Sequence, residues 1–214
     1  MGVNTVVFDL DGTLLYTLED LTESVNYMLN RFGYPLKTVE EVKNSVGNGI
    51  SALIERIIPD GKLNPNFEEC IKTFKQHYFE NMFNKTKPYD GVIDLLKTLK
   101  IKGYKTAVIS NKFDSAVKEL CHKYFDGLID IYVGQSEDIA PKPSPDSVLK
   151  IISELGVGTE NCIFVGDSEV DIETAKNSGL PCISVVWGYK SIDFLYSKGA
   201  QTLIYSPEEL LELI

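Results

Sequence analysis

Asp9 and Asp11 stand one residue apart at the end of an apolar run, Val6-Val7-Phe8, and Gly12 and Thr13 follow them. An apolar strand can be buried, but carboxylates cannot sit unpaired in its core. They must emerge at its C-terminal end, where the sites of parallel sheets lie. Two neighbouring carboxylates repel each other unless a cation or a shared proton relieves them. The segment therefore reads either as an acidic, metal-binding site at the mouth of an α/β sheet or as an Asp-Gly turn that closes a strand.

Three further signals sit at the ends of apolar runs. Ser110-Asn111 follows the run at 105–109; there a hydroxyl and backbone N–H groups at a helix start can cradle an oxyanion or a phosphate, or simply cap the helix. Lys142 lies in Ala140-Pro141-Lys142-Pro143-Ser144-Pro145, where the flanking prolines hold it in an extended stretch as a fixed counter-charge. Val165-Gly166-Asp167-Ser168-Glu169-Val170-Asp171 follows the strongest run. Asp167 sits at the strand end and Asp171 shares a face with it in the first helical turn; Glu169 is placed as acidic residues at helix N-termini are. Hard oxygen donors without a nearby histidine or thiol favour Mg²⁺. Phosphoryl transfer suits this inventory, because a carboxylate can accept the phosphoryl group while metal and lysine stabilise its charge.

The elements that must position these groups are legible in the apolar pattern. Strands are expected at 3–8, 105–110, 129–133, 162–165, 182–186 and, at an edge, 202–205, with helices at 92–101, 115–124, 145–155, 168–178 and 207–213. Strands apolar on both faces and separated by helices imply a doubly wound, mainly parallel Rossmann-like sheet. Residues 16–87 break the rhythm: helical segments are expected there (around 21–32, then 39–46, 50–57 and 65–82) and no strand. The division is thus an α/β core of 1–15 and 88–214 and an inserted helical cap of 16–87 above Asp9 and Asp11. Gly47-Asn48-Gly49 is a recognition loop of that cap or a helix stop. Lys43, Arg56 and Lys112 are partners for a substrate carboxylate or solvated surface charges.

The net charge of −10 argues against a nucleic-acid binder and disfavours anionic membranes. No apolar run is long enough to span a bilayer and no N-terminal signal pattern is present. Cys70, Cys121, Cys162 and Cys182 form no Cys-x-x-Cys pair and are expected reduced, in a cytoplasmic protein. With only His77 and His122, both in helical contexts, a zinc site or histidine triad is not expected. Composition is consistent with a monomer or weak dimer.

In this order and context the segments resemble the haloacid dehalogenase (HAD) superfamily over nearly the full chain. Asp9 to Thr13 is similar to its first motif, Ser110 to its second, Lys142 to its third, and Gly166-Asp167-Ser168-Glu169-Val170-Asp171 to its fourth. The resemblance implies Asp9 as nucleophile and Asp11 as general acid and base. It implies Mg²⁺ held by Asp9, the Asp11 backbone carbonyl and Asp167, with Asp171 behind them. Ser110, the Asn111 N–H and Lys142 would contact the phosphate, as would Gly12 and Thr13 in the turn; Thr13 either orients an aspartate or serves the turn alone. Asp11 separates phosphate-ester enzymes from the dehalogenases and phosphonatases of the superfamily. Val46-Gly47-Asn48-Gly49, Leu53-Ile54-Glu55-Arg56, Pro88-Tyr89-Asp90-Gly91-Val92 and Trp187-Gly188-Tyr189 look like phosphoglycolate phosphatases and their relatives. The implied partner is a small phosphorylated metabolite; a β-phosphoglucomutase-like mutase, an inorganic pyrophosphatase and, more distantly, a non-catalytic binding protein are the alternatives.

Overall fold

Every residue of β1 (Thr5–Phe8) is buried, as a strand covered on both faces requires. The structure, a computed structural model, describes residues 2–214. β1 is flanked in parallel by β4 (Lys105–Phe113) and β6 (Cys162–Gly166). Beyond them lie β5 (Ile131–Gln135) on one side and β7 (Cys182–Val185) and β8 (Thr202–Ile204) on the other, giving the order β5-β4-β1-β6-β7-β8. All five pairings are parallel. Side-chain alternation divides the core: Val6 and Phe8 face α5 (Val92–Ile101) and α6 (Asp114–Phe125), whereas Val7 faces α7 (Asp146–Leu155) and the end of α8 (Glu169–Ser178). The chain leaves β1 towards β4 and leaves β6 towards β7. A crevice therefore opens between the C-terminal ends of β1 and β6.

Between β1 and α5 the chain forms α1 (Leu18–Arg31), α2 (Val39–Lys43), α3 (Gly49–Ile57) and α4 (Phe67–Asn81). The spacing of Leu21, Val25, Met28 and Leu29 buries one face of α1, as their periodicity predicts. The apolar cluster of these helices is continuous with the Val6–Phe8 face of the sheet. Two short strands, β2 (Leu15–Tyr16) and β3 (Lys87–Pro88), pair antiparallel at the two ends of the helical insertion. The sequence reading has no strand there, because two-residue strands carry no alternation to read. It also lacks α9 (Ile192–Ser197), whose Ser191 cap accepts from the Phe194 N–H at 3.3 Å; the last helix, α10 (Leu210–Leu213), ends the chain after a 3-10 turn.

A buried carboxylate staples the root of the insertion. Asp20, at the start of α1, accepts from the N–H groups of Lys85 (3.0 Å) and Thr86 (2.8 Å), just before β3. Tyr124 of α6 donates to the Thr86 carbonyl at 2.6 Å. Asp20→Ala strands two backbone donors and is expected to cost about 2–4 kcal/mol, lowering Tm by roughly 5–15 °C in a chain of this size. Differential scanning calorimetry checks it; an unchanged Tm refutes the staple.

Candidate active site

Asp9 is the first residue beyond β1, and its N–H donates to Val165 O of β6 at 2.9 Å. Lys142 reaches it from the loop before α7: Nζ lies 2.7 Å from Asp9 Oδ1 and 2.6 Å from Asp171 Oδ1. The loop is a turn rather than an extended stretch, since the Ser144 N–H closes onto Pro141 O at 2.9 Å. Asp171 is fixed from its other side. Ser168 is the N-cap of α8, and its N–H and Oγ donate to Asp171 Oδ2 at 3.1 and 2.6 Å. The acidic pattern of that helix start is thus a reciprocal capping box that also holds the lysine.

Asp167 follows β6 and accepts from the Tyr189 N–H at 2.6 Å through Oδ2. Its carboxylate packs against Gly12, whose φ of +89° and missing Cβ both serve the turn; any side chain there would overlap Asp167. The Gly12 N–H is committed to Leu15 O at 2.9 Å, so Gly12 acts as a spacer and not as a phosphate donor. Asp9, Asp167 and Asp171 each present an oxygen within 4.8 Å of the others. Burial, then the Asp171 and Asp11 charges, push Asp9 up to about 7 against the pull of Lys142. Burial and the charges of Asp171 and Asp9 likewise raise Asp167 well above the usual carboxylate range. For Lys142, burial opposes the charge, but Asp171 and Asp9 override it and hold the ammonium above its ordinary value.

Asp11 points elsewhere. Its Oδ1 accepts from Thr17 Oγ1 at 2.6 Å and pairs with Lys112 Nζ at 3.0 Å. Thr17 is held in turn by the Tyr189 hydroxyl, 3.0 Å from Oγ1 and 3.1 Å from the Thr17 N. The hydroxyl that orients an aspartate is therefore that of Thr17. Thr13 Oγ1 is buried with no protein partner among the described residues, while its carbonyl accepts from Trp187 Nε1 at 3.0 Å. Lys112 is no solvated charge: it is 7% exposed and lies 4.5 Å from the centre of the Tyr78 ring. Lys43 and Arg56 stay outside the site, bound to Glu40 and to Ser45 and Asn48.

Ser110 and Asn111 do not stand at a helix start. β4 runs on to Phe113, with a register irregularity against β5 after Ile109, so both residues occupy its distorted end. Ser110 Oγ accepts from the Lys112 N–H at 3.2 Å, which leaves its own proton free. The Asn111 side chain bonds to the Lys142 backbone and to the 47–49 loop. A cleft closes above these groups. Its floor carries Asp9, Asp11, Ser110, Lys112, Lys142 and Asp167, Lys190 also lines it, and its roof is Gly47, Gly49 and the apolar set Leu21, Val46, Ile50, Leu53 and Phe74. His77 stacks on Tyr27, and His122 lies exposed beside Asp126, both outside the cleft.

The sequence profile of the family described as haloacid dehalogenase-like hydrolase matches residues 6–185. The chain belongs to this family. It is 33% identical to a phosphoglycolate phosphatase of Aquifex aeolicus over 213 residues, covering 99% of this chain and 97% of that protein. It is 29% identical to the pyrophosphatase PpaX of Halalkalibacterium halodurans over 216 residues, covering 100% and 98%. The crystal structure of a putative phosphoglycolate phosphatase from Lactobacillus delbrueckii superposes with a TM-score of 0.95 at 35% identity, covering 100% and 99%.

In this HAD-like hydrolase a reading of motifs misses Thr17 and the Asn111 carboxamide, names Lys112 only among candidate partners of a substrate carboxylate, and includes Tyr189 only within Trp187-Gly188-Tyr189. Lys112 carried a usable signal, a lysine two residues past Ser110 in an acidic chain. Tyr189 reaches the site from 22 residues beyond Asp167; the Trp187-Gly188-Tyr189 segment marked the residue but not that contact. Among the described residues no helix is long and apolar enough to cross a membrane, and Cys70, Cys121, Cys162 and Cys182 are all free thiols.

Proposed function

We propose that the protein is a Mg²⁺-dependent phosphatase acting through an aspartyl-phosphate on Asp9, with substrates that carry a second anionic group beside the ester. The carrying observation is the buried cluster in which Lys142 is gripped by Asp9 and Asp171 beside Asp167. In it, one carboxylate oxygen of Asp9 attacks phosphorus in line, forming the acyl phosphate as the bond to the leaving oxygen breaks on the opposite side. Asp11, aimed by Thr17, protonates that oxygen and afterwards takes a proton from the water that hydrolyses the acyl phosphate. Two of the three Lys142 donors are spent on Asp9 and Asp171, and the third is free for a phosphoryl oxygen. Ser110 Oγ and the Asn111 N–H would hold the others, with Thr13 Oγ1 close by in the turn.

The donor set fits a hard divalent cation. Three buried carboxylates (Asp9, Asp167, Asp171) share one ammonium (Lys142), an excess of two negative charges when all are ionised. Asp171 is fully committed, whereas Asp9 Oδ2 and Asp167 Oδ1 accept no hydrogen bond among the described residues. Asp9, Asp167 and the Asp11 carbonyl would hold Mg²⁺, which supplies charge stabilisation to the phosphoryl group. Residues 16–87 act as the cap that excludes water.

Lys112 supports the substrate class. It is within 3.0 Å of the Asp11 carboxylate that serves the leaving oxygen, so an anion there must be a few bonds from the ester. 2-Phosphoglycolate and pyrophosphate both satisfy this, and each is the substrate named for one of the relatives above. The roof side chains (Leu21, Val46, Ile50, Leu53 and Phe74) carry no hydrogen-bonding group for sugar hydroxyls, which disfavours a phosphosugar mutase. A panel of 2-phosphoglycolate, pyrophosphate, ethyl phosphate and a hexose 1-phosphate with Mg²⁺ tests the reading; no hydrolysis of any would end it. Lys112→Met is expected to lower the kcat/KM ratio of 2-phosphoglycolate to ethyl phosphate by roughly 10- to 100-fold, the worth of a charge-assisted hydrogen bond. An unchanged ratio would assign Lys112 to Asp11 alone.

A further inference from the structure

We infer that the Asn111 carboxamide couples the seating of the 47–49 loop to the seating of the Lys142 loop, which makes Asn111 a positioning residue for phosphoryl transfer. Asn111 is buried at the end of β4, and its side chain makes three hydrogen bonds to two separate loops. Oδ1 accepts from the Lys142 N–H at 2.8 Å. Nδ2 donates to the Lys142 carbonyl at 3.0 Å and to the Gly47 carbonyl at 3.1 Å. One amide thus holds the lysine backbone at both its donor and its acceptor, and spends its second donor on the loop across the cleft. Only asparagine among residues of this size supplies one acceptor and two donors on a single plane.

The 47–49 loop is shaped for this contact. Gly49 begins α3 at a φ of +82°, and a Cβ there would meet the Gln135 side chain at 2.7 Å and the Asn111 carbonyl oxygen at 3.2 Å. The loop therefore rests directly on the ends of β4 and β5, and glycine permits the approach. From its outer side Arg56 pins it, donating to Ser45 O at 2.9 Å and Asn48 Oδ1 at 2.7 Å. Gly47-Asn48-Gly49 is in this light a docking foot. When it lifts, Asn111 loses a partner that orients the amide plane, and the two bonds that seat Lys142 weaken with it. Lys142 is then held firmly between Asp9 and Asp171 only with the foot down.

The inference rests on the role proposed for Lys142 at the phosphoryl group, but its test needs no turnover. Amide exchange of the Lys142 N–H, followed by NMR in the full chain, reads the bond to Asn111 Oδ1 directly. Gly49→Ala touches no part of the Lys142 loop, yet it is expected to speed that exchange by about 3- to 10-fold, the worth of one weakened hydrogen bond. Arg56→Ala, an exposed change that frees the same foot, should act in the same direction and serves if Gly49→Ala does not fold. Asn111→Ala should speed it at least as much, and adding Gly49→Ala to it should bring no further acceleration. Faster exchange at residues 47–49 with an unchanged Lys142 amide would overturn the coupling, as would multiplicative effects in the double variant. In steady-state assays of an aryl phosphate, with kcat normalised to the folded fraction read from the NMR spectrum, Asn111→Ala should lower kcat by roughly 10-fold or more with KM changed less than about threefold. A wild type without turnover but with coupled exchange would sink the phosphatase reading and leave the coupling standing.

Discussion

Asp9→Asn is expected to lower kcat for an aryl phosphate by about ten-thousand-fold or more while leaving the fold intact. The amide retains the volume of the carboxylate but cannot attack phosphorus, and the other groups of a catalytic set do not compensate for a missing nucleophile. Near-normal turnover would remove Asp9 from the mechanism. The same substitution has a second expected effect, of opposite sign, on stability. Asp9 sits at about 7 in the folded chain against 3.8 for a free aspartate, chiefly because burial penalises the charge. Between those values the folded protein binds more protons than the unfolded chain. Stability from this group is therefore fully present below about pH 4 and is lost as pH rises through 7. Asp167 is displaced in the same direction.

In EDTA, then, Tm of the wild type should fall as pH rises from 5 to 8, and Asp9→Asn should flatten that fall. Mg²⁺ binds the ionised carboxylates and should raise Tm most at the alkaline end. Thermal melts across pH with EDTA or Mg²⁺ measure both. An apo Tm that rises over this interval would contradict the burial-driven shift, and a Mg²⁺ effect independent of pH would contradict the ligand set.

The strand ends were the most legible part of the site. A carboxylate that ends a wholly apolar run has nowhere to go but the mouth of the sheet, and Asp9 and Asp167 emerge at the crevice between β1 and β6 for that reason. The periodicity of α1 was equally plain. Side-chain direction was not legible. Nothing in the spacing of Asp9 and Asp11 says that one faces Lys142 and the other Lys112, since that follows from the φ of Gly12 and the turn onto Leu15. Ser110-Asn111 read as a helix start because Ser and Asn favour caps, yet pairing with β5 carried the strand to Phe113, a tertiary override of local preference. Nothing singled out Lys112 from Lys43 and Arg56 as the buried one, because burial of a lysine depends on a partner, and its partners Asp11 and Tyr78 come from distant parts of the chain.

Lys142→Met should be the most damaging single change to stability, with a loss of rate second to that of Asp9→Asn. Methionine fills the space of the stem and removes only the charge, so the loss is electrostatic. It leaves Asp9 and Asp171, which now share one ammonium at 2.7 and 2.6 Å, buried beside Asp167 with no cation among them. Removing one partner of a buried ion pair costs about 3–5 kcal/mol because the remaining charge is uncompensated. Here two carboxylates lose the same partner, so the metal-free variant should lie at or beyond the upper end of that range at pH 8 and recover towards pH 5, where protonation removes the charges. Mg²⁺ should restore much of the stability through Asp9 and Asp167. It should not restore the rate, because the donor to the phosphoryl oxygen and the clamp on Asp9 geometry are both gone; kcat should remain about a thousand-fold down. Lys142→Arg should not rescue, since a planar fork cannot place three divergent donors on Asp9, Asp171 and a phosphoryl oxygen at once. Denaturant melts with and without Mg²⁺, run beside kcat on the same preparations, separate the two effects. A variant that loses stability yet regains full rate when Mg²⁺ refolds it would show Lys142 to be a structural counter-ion and nothing more.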